Sequence, residues 1–435
     1  MKTQPSNKLG PFIVLIFIYL IVGFLTTVNG QCQAPLQIAF LSHAGELKNT
    51  FITLISFSFF LAYLLNGTLG SRWINCLGYK KTLIRALLIM TGGLVVFFFS
   101  SWFTVRYSEL NVLIAGAHIP YGYFIFLVGS YLMGTSATLL QVVINPYVAA
   151  YEVKGTQPVQ RMNIVCAFNS FGTTIAPFFV TGIMFGGLAL EGIHIEQLMV
   201  PFLVLAAFIG LTAFITQRLY LPDVMHTKIN RGEKLERSIW SFRHLKLGVV
   251  TIFFYVGAEV AIGVNVNLNA MELESTGQSL SFFGMQHLVV WGMNLGIPAL
   301  LATLYWGGLM VGRIVSSYLS HISPRVQLTV TTLLATVFTL VAIITNNLWL
   351  LVAVGLFHSV MWGCIFTLAI TGLKKYTAKA SGVFMMGVFG GAVFPFLQGA
   401  LADTLGSWQW TWMLVVVCEL VMLWYALVGS RVKEA

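Results

Sequence analysis

The sequence predicts an all-α polytopic membrane protein with 12 transmembrane helices. Of its 435 residues, 57% are hydrophobic and only 9% are charged, whereas a soluble domain carries about 25% charged residues. The mean hydropathy is +0.85, and apolar stretches of about the 20 residues that cross a bilayer follow one another along the chain. The net charge of +10 would suggest a nucleic-acid partner in a soluble protein. Here the positive-inside rule explains the charge, and we expect no nucleic-acid partner.

We number the predicted spans 1 to 12 in chain order. Lys2 and Lys8 precede the first apolar run, which is longer than that of a signal peptide and lacks a convincing cleavage site, so we keep it as span 1. One long polar connection predicts an N-terminal six-helix half at 1–220, a cytoplasmic linker at 221–245 and a C-terminal six-helix half at 246–435. The spans are expected at roughly 11–34, 50–71, 82–103, 122–150, 161–187, 198–219, 246–270, 298–320, 326–345, 348–372, 379–402 and 409–430.

Basic residues indicate the orientation of the spans. With the N-terminus inside, Lys48 and Arg106 are the only two of the 24 Lys and Arg residues on the outer side. The others lie in inner loops, at inner helix ends or in the tails, as the positive-inside rule requires. We therefore expect both termini in the cytoplasm and the protein in the inner (plasma) membrane.

The stretch from Leu139 to Phe178 places uncharged hydrogen-bonding side chains inside two apolar runs. Gln141 and Asn145 are four residues apart and share a helix face. An amide in hydrocarbon is costly without a partner, so a cluster of such side chains indicates a polar cavity inside a helix bundle. The second run contributes Asn163, Asn169, Ser170, Thr173 and Thr174.

Two of these features also have purely structural interpretations. Asn145 next to Pro146 fits a kinked helix whose freed carbonyl is satisfied locally. Ser170, Thr173 and Thr174 fit helix packing better than ligand binding, because small hydroxyl residues are common where membrane helices meet.

The same stretch carries a family resemblance. QVVINPYV and RMNIVCAFNSFGTTIAP resemble the fourth and fifth helices of the fucose/glucose/galactose-type sugar symporters, a branch of the major facilitator superfamily. YVGAEVAIG at 255–263 and TAKASGVFMMGVFGGAVFPFLQGALAD at 377–403 resemble the seventh and eleventh helices of that branch. The resemblance covers nearly the whole chain. It implies the major facilitator fold, two six-helix halves with a sugar site between them.

The resemblance also implies roles for single residues. The proton-linked Asp of helix 1 and Glu of helix 4 in fucose-type members fall on Gly30 and Gln141, so both carboxylates are absent here. Glucose/galactose-type members also have Gln at the helix 4 position, which makes that group the nearer relative. The sugar-binding Asn of helix 5 falls on Asn169, and the helix 7 Glu of the glucose/galactose type falls on Glu259.

Other spans add side chains that suit a sugar. In span 10, His358, Trp362 and Phe366 recur at four-residue spacing. Amides donate and accept, matching vicinal hydroxyls, and an indole covers the apolar face of a sugar ring. The alternative is that the aromatic stripe faces lipid, which His358 argues against. The predicted substrate-binding residues are Gln141, Asn145, Asn163, Asn169, Glu259, His358 and Trp362.

Small residues and one arginine are assigned structural roles. Gly308-x-x-x-Gly312 and Gly387-x-x-x-Gly391 predict seams where two helices pack closely. SRWINCLGYKK, read as a loop after span 2, is a degenerate form of a loop pattern found in the superfamily that it resembles, and GGLMVGRIVSSYLSHISPR after span 8 is a weaker counterpart. Arg313 lies in this counterpart, and we favour a structural role for it.

These observations together predict a secondary active transporter that imports a hexose-like sugar of the glucose, galactose, fucose or N-acetylhexosamine class. The expected mechanism is proton symport with alternating access. Glu259 is the only carboxylate in a helix expected to line the cavity, so it is the predicted coupling group. Glu419 lies in span 12, which is usually peripheral in this superfamily. Sodium coupling and facilitated diffusion remain alternatives.

Two other classes of function are open to the same sequence. A drug or nucleoside transporter on the same fold would have more aromatic side chains than amides in its cavity. A membrane enzyme needs a nucleophile, a metal set or an acid pair, and His358 has no carboxylate or Cys within its own turn. We expect no catalytic residue, metal or cofactor. The expected partners are a small-molecule sugar, a proton or sodium ion and the lipid bilayer, with the protein as a monomer.

The charge distribution leads to a direct test of topology. Single cysteines replacing Lys48 and Lys234 in a Cys-less background should react with an impermeant reagent from opposite sides of the membrane. Labelling of both from the same side would reject the twelve-span arrangement.

Overall fold

The chain folds almost entirely into long apolar helices, in a computed structural model that describes residues 9–41, 45–114, 116–151, 153–154, 158–186, 194–221, 238–278, 280–290, 293–318, 322–373 and 376–431. Twelve helical segments in these residues are long and apolar enough to cross a membrane. The helices are α1 Leu9–Gln31, α2 Gln33–Leu41, α3 Lys48–Leu77, α4 Tyr79–Arg106, α5 Tyr121–Ala150, α6 Pro158–Phe178, α7 Met199–Arg218, α8 Arg243–Ser275, α9 Ile297–Tyr318, α10 Pro324–Thr345, α11 Leu348–Ile370, α12 Thr377–Met386, α13 Gly390–Leu405 and α14 Met413–Trp424.

Two spans consist of two helices each. In span 1, α1 ends at Gln31 and α2 begins at Gln33. Pro35 explains the break, because a proline lacks the N–H and its ring clashes with the carbonyl four residues earlier, here that of Gln31. In span 11, a short 3₁₀ segment at Gly387–Phe389 joins α12 to α13.

The prediction of 12 spans is confirmed, and several predicted boundaries are wrong. Span 1 extends to Leu41 rather than residue 34, and span 7 occupies the whole of α8. The segment read as a loop after span 2 is mostly helix, since α3 continues to Leu77 and ends at Gly78, which has a φ of 80°. Most of the predicted linker, 222–237, lies outside the described residues, so the division into halves and linker stays a prediction.

Two small β-hairpins interrupt the helical pattern, and the sequence did not predict them. Strands β1 Asn111–Ile114 and β2 Ala117–Pro120 connect α4 to α5. Strands β3 His287–Val290 and β4 Met293–Gly296 lead into α9. Both hairpins lie outside the spans, where water or another backbone can satisfy their free peptide groups.

The predicted seam at Gly308-x-x-x-Gly312 is confirmed, but the second predicted seam is divided, because Gly387 lies against α8 and Gly391 lies against Phe60 of α3. A Cβ at Gly312 would lie 2.6 Å from the backbone oxygen of Leu356, and one at Gly387 would lie 2.8 Å from that of Val249. These distances are too short for any side chain. The glycines therefore let α9 pack against α11, and the turn between α12 and α13 pack against α8.

The first six and last six spans are joined by hydrogen bonds at one end of the bundle. We call this the Asp403 end, where α3 begins and α13 ends, and we call the opposite end, where α10 begins, the Arg325 end. The Asp403 carboxylate accepts hydrogen bonds from the backbone N–H groups of Asn49 (3.2 Å) and Thr50 (2.6 Å) and from the Thr50 hydroxyl (2.5 Å). A carboxylate at a helix N-terminus satisfies donors that the helix leaves free.

A second set of bonds at the Asp403 end joins α1 to α8. Gln31 donates from Nε2 to the backbone oxygen of Gly263 at 2.7 Å and accepts a hydrogen bond from Asn267. All three residues are buried. Because each amide finds its partner on the other helix, separating α1 from α8 at this end would leave buried polar groups unpaired.

Candidate functional site

A cavity of about 660 Å³ lies between the first six and the last six spans. Its lining reaches Ser316, Pro324 and Thr367 at the Arg325 end. In the other direction the lining stops at Asn29 and Val264, beneath the hydrogen bonds of Gln31. The cavity is therefore closed towards the Asp403 end and extends to the Arg325 end.

Amide side chains held by tyrosines form the wall contributed by the first six spans. Gln141 on α5 donates to the Tyr63 hydroxyl at 2.8 Å. Asn169 on α6 donates to the backbone oxygen of Tyr19 at 2.9 Å. All four residues line the cavity. Each amide nitrogen is fixed by a neighbouring helix, which orients the amide towards the cavity space.

Close packing of α1 brings this wall near the opposite one. A Cβ at Gly23 would lie 2.3 Å from the backbone oxygen of Asn169, and one at Gly30 would lie 2.8 Å from the Val264 side chain of α8. Gly30 is the position of the helix 1 Asp in the family resemblance. An aspartate there would collide with α8 in this conformation.

The wall contributed by the last six spans combines charged and aromatic side chains. Glu259 on α8, Arg313 on α9 and two indoles, Trp306 and Trp362, line the same cavity. The Trp306 Nε1–H donates to the backbone oxygen of Gly263 at 3.2 Å, and a Cβ on Gly263 would lie 2.3 Å from the indole. The glycine thus lets the Trp306 ring pack directly against α8.

Arg313 connects the two walls across the cavity. Its guanidinium donates to the Ser170 hydroxyl on α6 and, through Nε, to the backbone oxygen of Ser359 at 3.4 Å. Arg313 was assigned a structural role from the sequence, and these contacts support that role. The structure adds that the same side chain also lines the cavity.

Comparison with known proteins identifies the family. The model of the Major Facilitator Superfamily matches residues 15–394, which is most of the chain. The chain belongs to the Major Facilitator Superfamily.

Named relatives resemble this superfamily member over nearly their whole length. It is 30% identical over 423 residues to the glucose/galactose transporter of Brucella abortus biovar 1 (strain 9-941), covering 96% of this chain and 93% of the relative. It is 31% identical over 449 residues to the putative glucose/galactose transporter of Helicobacter pylori (strain ATCC 700392 / 26695), covering 100% of this chain and 99% of the relative. A crystal structure of the E. coli Fucose:proton symporter has the same fold, with a TM-score of 0.65 and 20% identity. The match covers 98% of this chain and 100% of the symporter chain.

Four of the predicted site residues come together in this superfamily member. Gln141, Asn169, Glu259 and Trp362 all line the cavity, although they come from four different helices. Asn163 lies in α6, and its side chain is outside the described part of the structure.

Asn145 and His358 lie behind the cavity wall instead of on it. The Asn145 Oδ1 atom is buried without a hydrogen-bond partner among the described residues, and the side chain lies beside the Tyr19 hydroxyl. His358 is 0% exposed, and both ring nitrogens are occupied by other side chains. In this conformation neither residue reaches a ligand in the cavity.

His358 is paired with a carboxylate that the sequence led us to set aside. Its Nε2 atom lies 2.6 Å from Glu419 Oε1, and both side chains are 0% exposed. Its Nδ1 atom lies 2.7 Å from the Tyr305 hydroxyl. The expectation that span 12 is peripheral is wrong for Glu419, because α14 packs against α8 and α10 and directs this side chain inward.

Sequence reasoning missed Trp306 and the tyrosines Tyr19 and Tyr63 as cavity residues. Each lies in the middle of a predicted span, where a tyrosine hydroxyl or an indole N–H needs a hydrogen-bond partner. That requirement was the available signal. It was overlooked because aromatic side chains are also common on lipid-facing surfaces.

Proposed function

We propose that this chain is a secondary active transporter that imports a hexose-like sugar by proton symport. The observation that carries the proposal is the cavity, which has fixed amides on one wall and two indoles, an acid and a base on the other. The names of its full-length relatives, glucose/galactose transporters, support the same class of substrate.

The chemistry of the two walls matches the two kinds of surface on a sugar. Gln141, Asn169 and Glu259 offer acceptors and donors for hydroxyl groups. Trp306 and Trp362 offer flat apolar faces for the C–H side of the ring. A volume of about 660 Å³ lies within the range of ~300–1,000 Å³ typical of small-molecule sites.

Transport would follow from alternate opening of the two ends of the cavity. Under the positive-inside rule the Arg325 end is cytoplasmic, with both termini on that side and the protein in the inner membrane. The structure then corresponds to a state open to the cytoplasm and closed outside by Gln31 and Asp403. The proposed moving units are the halves 1–220 and 246–435, joined by the linker 221–245.

One chain contains every part of the proposed mechanism. The cavity lies between the two six-span groups of a single copy, and we propose that the protein acts as a monomer in the lipid bilayer. The cavity binds and releases its substrate unchanged, and we propose no enzymatic step, cofactor or nucleic-acid partner.

Glu259 is the proposed coupling group. It lines the cavity, and its Oε1 accepts a hydrogen bond from the Tyr255 hydroxyl at 2.9 Å. A carboxyl in this position can exchange a proton with cavity water on each side in turn. Sodium held by amide and backbone oxygens is the alternative coupling ion.

Replacing Gln141 by alanine tests sugar binding. The change removes a side chain that would pair with a buried sugar hydroxyl, at a cost of ~1–3 kcal/mol, or about ten- to hundredfold in affinity. Uptake of radiolabelled D-glucose, D-galactose and L-fucose into proteoliposomes would measure it, with the exposed Gln278→Ala variant as control. Unchanged affinity in a well-expressed Gln141→Ala variant would remove this residue from the site. Failure of wild-type protein to transport any hexose, fucose or N-acetylhexosamine would refute the sugar proposal.

Replacing Glu259 by glutamine tests the coupling. The amide keeps a hydrogen-bonding side chain at this position but gains and loses no proton. We therefore expect sugar counterflow to continue while accumulation driven by a pH gradient is lost. The exposed Glu274→Gln variant, the same change at the end of α8, is the control. Concentrative, pH-driven uptake by the Glu259→Gln variant would exclude Glu259 as the coupling group. Stimulation of sugar uptake by sodium without a pH response would favour sodium coupling.

A further inference from the structure

Five side chains form a hydrogen-bonded cluster at and behind the cavity wall, and we call it the relay cluster: the half-buried Glu259 on α8 and the buried Tyr255 on α8, Tyr305 on α9, His358 on α11 and Glu419 on α14. Tyr255 and Tyr305 are 0% exposed, as are His358 and Glu419. Within the relay cluster, only Glu259 lines the cavity. The mechanism proposed above uses Glu259 and gives no role to the other four.

The relay cluster contains an acid and a base in direct contact. His358 Nε2 and Glu419 Oε1 are 2.6 Å apart, and among the described residues this is the only ion-pair contact between side chains. The second carboxylate oxygen of Glu419 is buried without a hydrogen-bond partner in the described part of the chain. An isolated buried charge would be very costly here. The pair is therefore most stable when one proton is added to the neutral imidazole and the carboxylate, on either partner, so that the pair is neutral overall.

Each tyrosine of the relay cluster has one hydrogen and two possible acceptors. Tyr305 Oη lies 2.7 Å from His358 Nδ1 and 3.1 Å from the backbone oxygen of Glu259. Tyr255 Oη lies 2.9 Å from Glu259 Oε1 and 3.0 Å from the backbone oxygen of His358. A hydroxyl donates only one hydrogen, so each tyrosine can donate to only one of its two neighbours at a time. Which neighbour accepts the hydrogen depends on which of them already carries a proton.

We propose that the His358–Glu419 pair is a second protonatable site of the transport cycle and positions Glu259 through the hydroxyls of Tyr305 and Tyr255. The inference rests on the proton-coupled transport proposed above. His358 and Glu419 act here as positioning residues, since neither contacts the cavity.

The proton balance of the pair defines two states. In the loaded state both imidazole nitrogens carry hydrogen: Nε2 donates to Glu419, Nδ1 donates to Tyr305, and the Tyr305 hydrogen is free to bind the Glu259 carbonyl. In the unloaded state the Nδ1 proton has passed through the Tyr305 hydroxyl, the partner of that nitrogen, to water that reaches α9 once the cavity opens to its other side, and the charge of the pair falls by one. Tyr305 then donates to Nδ1, and the Glu259 carbonyl loses its bond from α9.

The protonation of Glu259 in turn affects His358 through the Tyr255 hydroxyl. When Glu259 is ionised, Tyr255 donates to its carboxylate. When Glu259 is protonated, it can donate to Tyr255, whose own hydrogen turns to the His358 carbonyl. Contacts of α8 with α9 and α11 thus change with the protonation of both sites, and these helices form one wall of the cavity.

Other ionisable groups on the elements packed around the pair must be considered in any pH response. Arg313 on α9 interacts with Glu259, Tyr255 and Tyr305, and Cys418 lies next to Glu419 on α14. Arg325 at the start of α10 lies at the Arg325 end, where it contacts Ser430. The remaining described groups on these elements include His244, Glu272 and Glu274 on α8 and Tyr425 at the end of span 12.

The decisive variants are Glu419→Gln and Tyr305→Phe, assayed in proteoliposomes with whichever of D-glucose, D-galactose or L-fucose the wild type transports. Counterflow measures binding and reorientation, and pH-gradient-driven uptake measures coupling. The glutamine still accepts the Nε2–H bond but no longer stabilises an imidazolium. We therefore expect Glu419→Gln to keep counterflow and to move the pH profile of driven uptake by about one unit towards acid. Glu274→Gln should leave the profile in place.

Tyr305→Phe removes the hydroxyl through which the protonation of the His358 ring reaches Glu259, since Tyr255 contacts the backbone oxygen of His358 and not its ring. We expect the double variant Glu419→Gln/Tyr305→Phe to have the same pH profile as Tyr305→Phe alone, because the pair no longer acts on Glu259. A wild-type profile in Tyr305→Phe, or in a folded Glu419→Gln, would overturn the inference while leaving the proposed coupling intact. Absence of any pH response in the wild type would instead overturn the proposed coupling.

Discussion

The closure of the Asp403 end is the interaction on which the rest of the structure depends. Gln31 on α1 bonds to Gly263 and Asn267 on α8, and Asp403 on α13 caps the start of α3. Polar groups buried in a membrane protein must find protein partners, and here these partners lie across the two six-helix groups. Because one end is held in this way, the space between the groups widens towards the other end and forms the cavity.

The two walls of the cavity have different construction. Amides fixed by neighbouring tyrosines form one wall, so their orientation is set before a ligand arrives. The other wall holds the ionisable residues Glu259 and Arg313, and Glu259 has the buried His358–Glu419 pair behind it. In the proposed mechanism a sugar between the walls would contact the amides of one wall and the indoles and Glu259 of the other, so binding and coupling would meet at the second wall.

The sequence predicted the spans and part of the site because both follow from local constraints. A span needs about 20 apolar residues, and an amide such as Gln141 within one needs a polar neighbour wherever it lies. The contact between His358 and Glu419, which are 61 positions apart, depends instead on how α11 and α14 rotate against each other. Spacing on one helix does not determine that rotation, so His358 was assigned to the cavity and Glu419 to the periphery. The break after Gln31 was missed for another reason: the effect of Pro35 on its own helix was overlooked.

The most direct test of this account measures access to Cys166, which lines the cavity on α6, after the exposed Cys76 has been replaced by serine. An impermeant maleimide added on the side of the Arg325 end should label Cys166 in the otherwise wild-type protein. Adding Asp403→Asn replaces one acceptor oxygen by a donor and weakens the closure of the opposite end. We expect labelling of Cys166 to slow several-fold as the population moves towards the state closed at the Arg325 end, while Thr404→Ala on the same turn leaves the labelling rate unchanged. Equal or faster labelling in the Asp403→Asn variant would contradict the claim that this closure holds the cavity open.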